Sequence, residues 1–510
     1  MIVVVAIVLI GILVQLADSL LGVEAKKQGV SRSSDISLFA PLAKMFGPKL
    51  PDYVAGSEMP VHVLSKGHDI KLEGEADKQI TAAGDVTRYA IQPRNFIGIS
   101  PIPKLTVEVG DEVKAGQPIM FDKKRPDIMH VAPVSGEVIE LNRAEKRAIS
   151  EVVILADKDQ RYHPLNVPDL DNVSREDLVQ FLLSSGGWPL INQRPYDIMP
   201  EAGDIPADIF ISTFDSAPLA PDANLIAETA PEALQVGINV LNKLTEGKVY
   251  IGLDARKGNQ PTSAIMKLEG VEKHWFSGPH PSGNVGIQIH HIKPISTTAK
   301  VWTIDLQCLI ILGRIFTEGR YNSSKVVVLA GSQVKTPKYV STYQGAHIGE
   351  LLKDNLKEGK SRMISGDVLS GKPKSDSSYL NFHDDQVTVI KEGDYYKMFG
   401  WLIPSLGTPS INKSLPSAYM PNLKFEGDTN THGEQRAFVM TGEYESVLPM
   451  DIYPQHLMKA ILANNFEEME GLGIYELSEE DLALCEFACT SKVPLQSILR
   501  QGLELMREQG

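Results

Sequence analysis

Cysteine is scarce: three in 510 residues. That excludes a disulfide scaffold and points to a reducing compartment. Positive charge is also short, with 50 Lys and Arg against 64 Asp and Glu, net −14. Without a basic stripe to neutralise phosphates, the chain has no nucleic-acid footprint. Catalytic signatures are missing as well. There is no G-x-G-x-x-G after a strand and no G-x-x-x-x-G-K-[ST], so no nucleotide site is announced. There is no H-E-x-x-H or C-x-x-C for a metal, and no G-x-S-x-G for a nucleophile. Long apolar runs are rare too. Only Met1 to Val14 is unbroken, and a membrane helix needs about 20 residues.

What is present is globular in character. A hydrophobic share of 43% with 22% charged residues is ordinary for folded protein, and 510 residues exceed one core. The reading is an α+β multidomain chain.

The N-terminal apolar run reaches spanning length if extended to Val23, which brings in Gln15, Asp18 and Ser19. Those polar residues share one helical face with Gly22 and would turn toward a partner or the interface. No basic residue precedes the run, whereas Lys26, Lys27 and Arg32 follow it. The expectation is a single membrane anchor over 1–23, a linker over 24–60, and the remaining chain in the cytoplasm. One acid, Asp18, cannot line an ion pathway.

Residues 61–155 centre on LTVEVGDEVKAGQPIMFDKKRPDIMHVAPVSGEVIEL. Apolar residues alternate between Gly turns, the pattern of short antiparallel strands. Two interlocked hairpins of this kind resemble the biotinyl/lipoyl carrier fold, a barrel-sandwich. Lys123 and Lys124 stand near the tip that would carry the group, but their FDKKRP setting is not a carrier motif. A transferase using Lys124 would be the alternative.

From 156 to 324 strands alternate with helices, as in an α/β Rossmann-like domain. Ser174 with Asp177 marks a helix start, followed by a turn at Gly186-Gly187-Trp188-Pro189. Asp208–Ser212 and Lys248–Leu253 read as strands, and 231–244 has helical spacing. The stretch from Gly278 to Gly286 reads as a rigid turn between domains, with an anion-binding loop as the alternative. His290 and His291 read as neighbours in a β run, on opposite faces. Leu306–Leu312, holding Cys308, reads as apolar core. Residues 325–375 fit a small β-grasp module. In the following 376–445 segment, Gln386–Ile390 and Tyr395–Ile403 read as strands and His383-Asp384-Asp385 as a polar turn. Residues 446–510 form a C-terminal helical segment, with helices over 452–469 and 479–506. Ser478 and Asp481 form a capping box there. Cys485 and Cys489 keep only the last C-x3-C of an iron–sulfur run, with Thr490 where Pro would follow. Two thiolates cannot hold a [4Fe–4S] cluster.

The series VEVGDEVKAGQPIMFDKK, APVSGEVIELNRAEKRAI, GPHPSGNVG, RMISGDVLSG, GEYESVLPMDIYP and LSEEDLALCEFAC closely resembles the A-subunit family of the sodium-translocating NADH:quinone reductases (Na⁺-NQR). The start, Met1 to Met59, and Thr490 depart from it. The family is itself similar to the flavin-binding subunit of respiratory complex I and to the C subunit of the Rnf complex. By that resemblance Gly186-Gly187-Trp188-Pro189 corresponds to a flavin loop stripped of glycines, the Cys485/Cys489 pair to a cluster segment short of ligands, and 325–375 to an SLBB-like module. The resemblance implies a cofactor-free chain in a bacterial inner-membrane complex that reduces ubiquinone or menaquinone with NADH and exports Na⁺. NADH, FAD, FMN, riboflavin and Fe–S centres would then sit on the other five subunits, B to F, with the membrane-embedded B subunit the nearest partner. A role in the ubisemiquinone-to-ubiquinol step is implied, with His280, His290 and Trp302 as candidate quinone contacts. A scaffold that never touches quinone, and a working NADH–flavin dehydrogenase, are the competing readings.

Overall fold

The computed structural model describes residues 13, 14, 17, 20, 21, 50–100, 102–295, 299–396, 398–400, 406–420 and 422–509. It divides into two units, residues 1–56 and 57–510. In the first, the five described residues between 13 and 21 are helical, as is the turn Asp52–Ala55. Among the described residues no helix is long and apolar enough to cross a membrane. Most of the anchor expected over 1–23 and most of the linker over 24–60 lie outside the described residues.

In the second unit the hairpin-rich stretch forms two small antiparallel sheets. One orders Arg88–Ile91, Ile149–Ala156, Gly136–Arg143 and Glu112–Val113; the other orders Lys104–Leu105, Pro118–Asp122 and Arg125–Val131. Alternation works as expected: Val107, Val113, Ile119 and Val138 are buried. Gly110 and Gly116 turn with φ of +96° and +83°, where a side chain would be strained. Val109 is the exception; it is 58% exposed beside the first of these turns.

The α/β layer is a six-stranded sheet ordered Val61–Val63, Glu272–Ser277, Val249–Asp254, Ile209–Ser212, Val301–Thr303 and Asn192–Arg194. The first five run parallel and the last antiparallel. Ser174 caps the helix Arg175–Ser185 by accepting the Asp177 amide at 3.1 Å. Helix Pro231–Leu244 packs on helix Leu306–Thr317 at glycine; a Cβ at Gly237 would lie 2.7 Å from the Leu309 carbonyl. One expectation is corrected here. His290 and His291 lie in the helix Val285–Ile292, not in a strand. Val285, Ile287 and Ile289 alternate, but Gly286, Ile287, Gln288 and Ile289 are all buried. A segment covered on both sides leaves no face for alternation to mark.

The third sheet orders Lys372–Lys374, Ser361–Ser365, Gln386–Lys391, Ser324–Ala330, Lys338–Tyr343 and Asp77–Ala82. The expected module, 325–375, therefore receives a central strand from beyond its end and an edge strand from the N-terminal side. Tyr395 to Ile403 is not the strand expected where it is described: Tyr395, Tyr396 and 398–400 are loop or turn, and Tyr396 is exposed. The rest of that stretch lies outside the described residues.

Both C-terminal helices expected from the sequence are broken. The first gives Pro454–Leu462 and Phe466–Gly471, separated by Asn464 at φ +53° and recapped by the Asn465 side chain on the Glu468 amide. The second gives Glu479–Ala488 and Leu495–Gln509, with Pro494 between them unable to continue an amide ladder. The Ser478/Asp481 capping box is present. These helices bury Leu457, Leu482, Leu499 and Leu503 in one core with Leu64, Leu72, Phe276, Ile287 and Phe425.

Candidate functional site

A cleft of about 1220 Å³ opens where the strand Gln386–Lys391 ends beside the helix Glu479–Ala488. The segment from Leu406 to His432 forms one wall, and Thr490 to Pro494 forms part of the other. Its apolar lining includes Leu72, Ile390, Ile411, Leu423, Phe487 and Val493. Polar and charged groups make up about half of the lining, among them Asn412, Thr490, Lys492, His432 and the acids Glu73, Glu426, Asp428, Glu443 and Glu486. Several of the lining polar groups are already held: His432 faces Asp428 at 3.5 Å, Glu426 accepts from Gln333 at 3.1 Å, and Asn412 Oδ1 accepts from Ser414 Oγ at 2.7 Å. Apolar patches interleaved with hydrogen-bonding groups suit a flat ligand with an apolar body and hydrogen-bonding oxygens.

A second cavity, about 500 Å³, lies beyond Thr213 and Asp254, past the carboxyl ends of two parallel strands. Ligands of open α/β sheets bind in that position. Here three of the lining cations are held by carboxylates: Lys78 by Asp222 at 2.5 Å, Arg256 by Asp254 at 2.7 Å, and Lys424 by Glu75 at 3.0 Å. Five acids line the space, so it offers a nucleotide phosphate little attraction.

The three residues singled out in the sequence line neither cavity. His280 is buried; its Nδ1 lies 3.0 Å from Ser216 Oγ, and its Nε2 has no partner. His290 Nε2 accepts the Asp451 amide at 3.1 Å, so Nδ1 carries the proton and donates to Glu476 at 2.7 Å. Trp302 is fully buried, edge-on to Trp188 with centroids 5.3 Å apart. Each of them packs or braces, and none of them lines either of these two cavities.

Family models match the chain in three places: "NqrA N-terminal barrel-sandwich hybrid domain" at 62–157, "NqrA second alpha/beta domain" at 173–321 and "NQRA C-terminal domain" at 326–375. The A subunit of the Na(+)-translocating NADH-quinone reductase of Yersinia pestis bv. Antiqua (strain Angola) is 36% identical over 88% of this chain and 99% of its own length. The chain belongs to the A-subunit family of the Na(+)-translocating NADH-quinone reductases. The same-named proteins of Psychromonas ingrahamii and Photorhabdus laumondii subsp. laumondii are 36% and 34% identical, again over 88% of this chain and 99% of theirs. Among solved structures, an NAD⁺-reducing [NiFe]-hydrogenase aligns over 68% of each chain at 13% identity with a TM-score of 0.33, too low to bear on function.

In this member of the NqrA family the Gly186-Gly187-Trp188-Pro189 turn and the Cys485/Cys489 pair are both buried. Gly186 ends the helix Arg175–Ser185 with φ +81°, and a Cβ there would sit 2.5 Å from Val131. Trp188 behind it is fully buried, with its Nε1 donating to the Pro200 carbonyl at 2.9 Å. Cys485 and Cys489 are both buried free thiols. The Tyr444 hydroxyl lies 2.8 Å from Cys489 Sγ, and the Val493 amide donates to that sulfur at 3.4 Å. Burial pushes the Cys485 thiol well up. Lys123 and Lys124 do occupy a hairpin tip, where Asp122 accepts the Lys124 amide at 3.2 Å.

The cleft itself is not announced by the sequence. Its wall from 406 to 432 has little regular structure, and what signal it carries is Ser, Thr, Pro and Asn in an unusually long connection. Loops of that length are often functional.

Proposed function

We propose that this chain serves the quinone-reducing step of a bacterial Na⁺-translocating NADH:quinone reductase, holding no electron carrier of its own. The observation that carries this reading is the cleft of about 1220 Å³, in which apolar patches such as Leu72, Ile390 and Val493 are interleaved with hydrogen-bonding groups. A quinone ring has two carbonyl acceptors on an apolar body; Thr490 and Lys492 are the donors best suited to them. The packed flavin-loop remnant and the buried thiols support a chain that contributes shape rather than electrons. Its partners are the five other subunits, the membrane-embedded B subunit foremost, and ubiquinone or menaquinone. The body faces the cytoplasm at the inner membrane, tethered by a span over 1–23, and the Na⁺ route runs elsewhere.

A photoreactive quinone applied to the intact complex tests the central claim. Labelling within 406–432 or 486–496 is expected, displaced by excess unlabelled quinone. In complexes that assemble normally, Val493→Arg should reduce quinone turnover at least tenfold and leave NADH oxidation by an artificial acceptor unchanged. Label confined to other subunits would favour a scaffold that docks without touching quinone. Deleting residues 1–23 should release the isolated chain into the soluble fraction; retention on membranes would contradict the anchor.

A further inference from the structure

Away from both cavities, Asp305, Cys308 and His383 bring one ligand atom each to within 4.8 Å of one another. Asp305 and Cys308 stand on the cap and first turn of the helix Leu306–Thr317. His383 comes from the loop leading into the strand Gln386–Lys391 of a different sheet. We propose that these three side chains form a binding site for a borderline-soft divalent transition metal of the Zn²⁺ type, pinning the α/β layer to the β-grasp sheet.

The spacing is that of a tetrahedral ion. Zinc bonds of about 2.3 Å to sulfur and about 2.0–2.1 Å to nitrogen and oxygen would hold S and N about 3.6 Å apart, and N and O about 3.3 Å apart. Cys308 Sγ to His383 Nδ1 is 3.7 Å, and His383 Nδ1 to Asp305 Oδ2 is 3.4 Å. One ring nitrogen thus faces both partners. A Cys–His–Asp proton relay would need the two partners on different nitrogens, so a shared ion explains the arrangement better.

The ligands are also braced for the task. Asp305 spends Oδ1 on the Cys308 amide at 2.7 Å, leaving Oδ2 toward the histidine. The loop around His383 is held on both sides, because the buried Lys325 ammonium donates to the carbonyls of Phe382 at 3.3 Å and Asp384 at 2.9 Å. Lys325 is itself paired with Asp385 at 2.5 Å. Asp305 as carboxylate and Cys308 as thiolate would neutralise the ion. Binding therefore converts the Cys308 thiol to a thiolate and releases one proton to solvent. Asp305 and His383 are partly exposed, which leaves a side for the metal to enter and for water to complete the shell.

Cobalt titration of the full chelator-treated chain tests this. One Co²⁺ per chain is expected, with a thiolate-to-cobalt charge-transfer band, displacement by Zn²⁺, and release of one proton per metal. Cys308→Ser should abolish the band. His383→Ala and Asp305→Asn should each weaken binding at least tenfold, whereas Cys485→Ser should leave it unchanged. Should Cys308→Ser fold poorly, the partly exposed His383→Ala carries the test, with circular dichroism confirming the fold. No stoichiometric uptake, uptake unaffected by His383→Ala, or a band that survives Cys308→Ser would overturn the proposal.

Discussion

Arg194 Nη1 donates to Asp481 Oδ2 at 3.1 Å, with the two side chains only 2% and 0% exposed. Arg194 belongs to the antiparallel edge strand of the α/β sheet, and Asp481 to the first turn of a C-terminal helix. Glu480 at 2.9 Å and Asp197 at 3.7 Å complete the charge around the guanidinium. Asp481 also accepts from the Ser478 amide at 2.9 Å, so one carboxylate both caps its helix and ties it to the sheet.

Breaking that pair should be costly, because truncating one partner strands the other charge in a dry site. Arg194→Ala is expected to destabilise the chain by about 3–5 kcal/mol in urea unfolding. The Arg194→Ala/Asp481→Ala double variant should cost less than the two single changes combined. Strict additivity would show that the residues do not communicate.

Gly286 is coupled to the same carboxylate. Any Cβ at this position collides with Asp481, and its neighbour Asn284 donates to the Glu480 carbonyl at 3.1 Å. Gly286→Ala should cost about 1–3 kcal/mol by overpacking. In an Asp481→Ala background the penalty should shrink, as read by the shift in melting temperature.

His130 sets an acid limit. It is buried against Phe96, with ring centroids 4.4 Å apart, and neither ring nitrogen has a partner. Burial, aided by Arg125, holds its pKa down near 3. The folded state accepts only the neutral ring, whereas the unfolded chain takes up a proton below about pH 6.5. The stability His130 confers is thus full above pH 6.5 and is lost as pH falls toward 3, with a ceiling of about 5 kcal/mol. Stability measured from pH 7 to 4 should fall less steeply in His130→Leu than in the parent; parallel profiles would contradict the assignment.

All three cysteines are buried and free. Thiol titration of the native chain should be slow at every site, and complete at three per chain after denaturation. A rapidly reacting thiol in the native state would mean that at least one of these three sites opens. Cys489→Ala should cost about 1–3 kcal/mol, since the Tyr444 hydroxyl would lose its buried partner.

Much of the fold is legible in local pattern. Alternation between glycines marks the hairpins, Ser174 and Ser478 announce their helices, and the helical spacing over 231–244 matches the helix to the residue, because each signal lies within a few neighbours. The strand Asp77–Ala82 is not visible: five of its six residues are exposed, and it exists by pairing with Lys338–Tyr343 far along the chain. His290 and His291 read as strand because burial on all sides erases the period that separates helix from strand. The candidate site is harder still. His280, His290 and Trp302 stand out by type, and type does not reveal which cavity a side chain faces.

Sequence alone determined the family and the succession of barrel-sandwich, α/β and C-terminal domains, since these reside in residue identity and short spacing. Tertiary structure alone decided that Leu72, Ile390 and Val493 share a cleft, that Arg194 meets Asp481, and that Cys308 faces His383. Those contacts join residues separated by 75 to more than 400 positions, and they are fixed by how sheets and helices stack, which no local periodicity encodes.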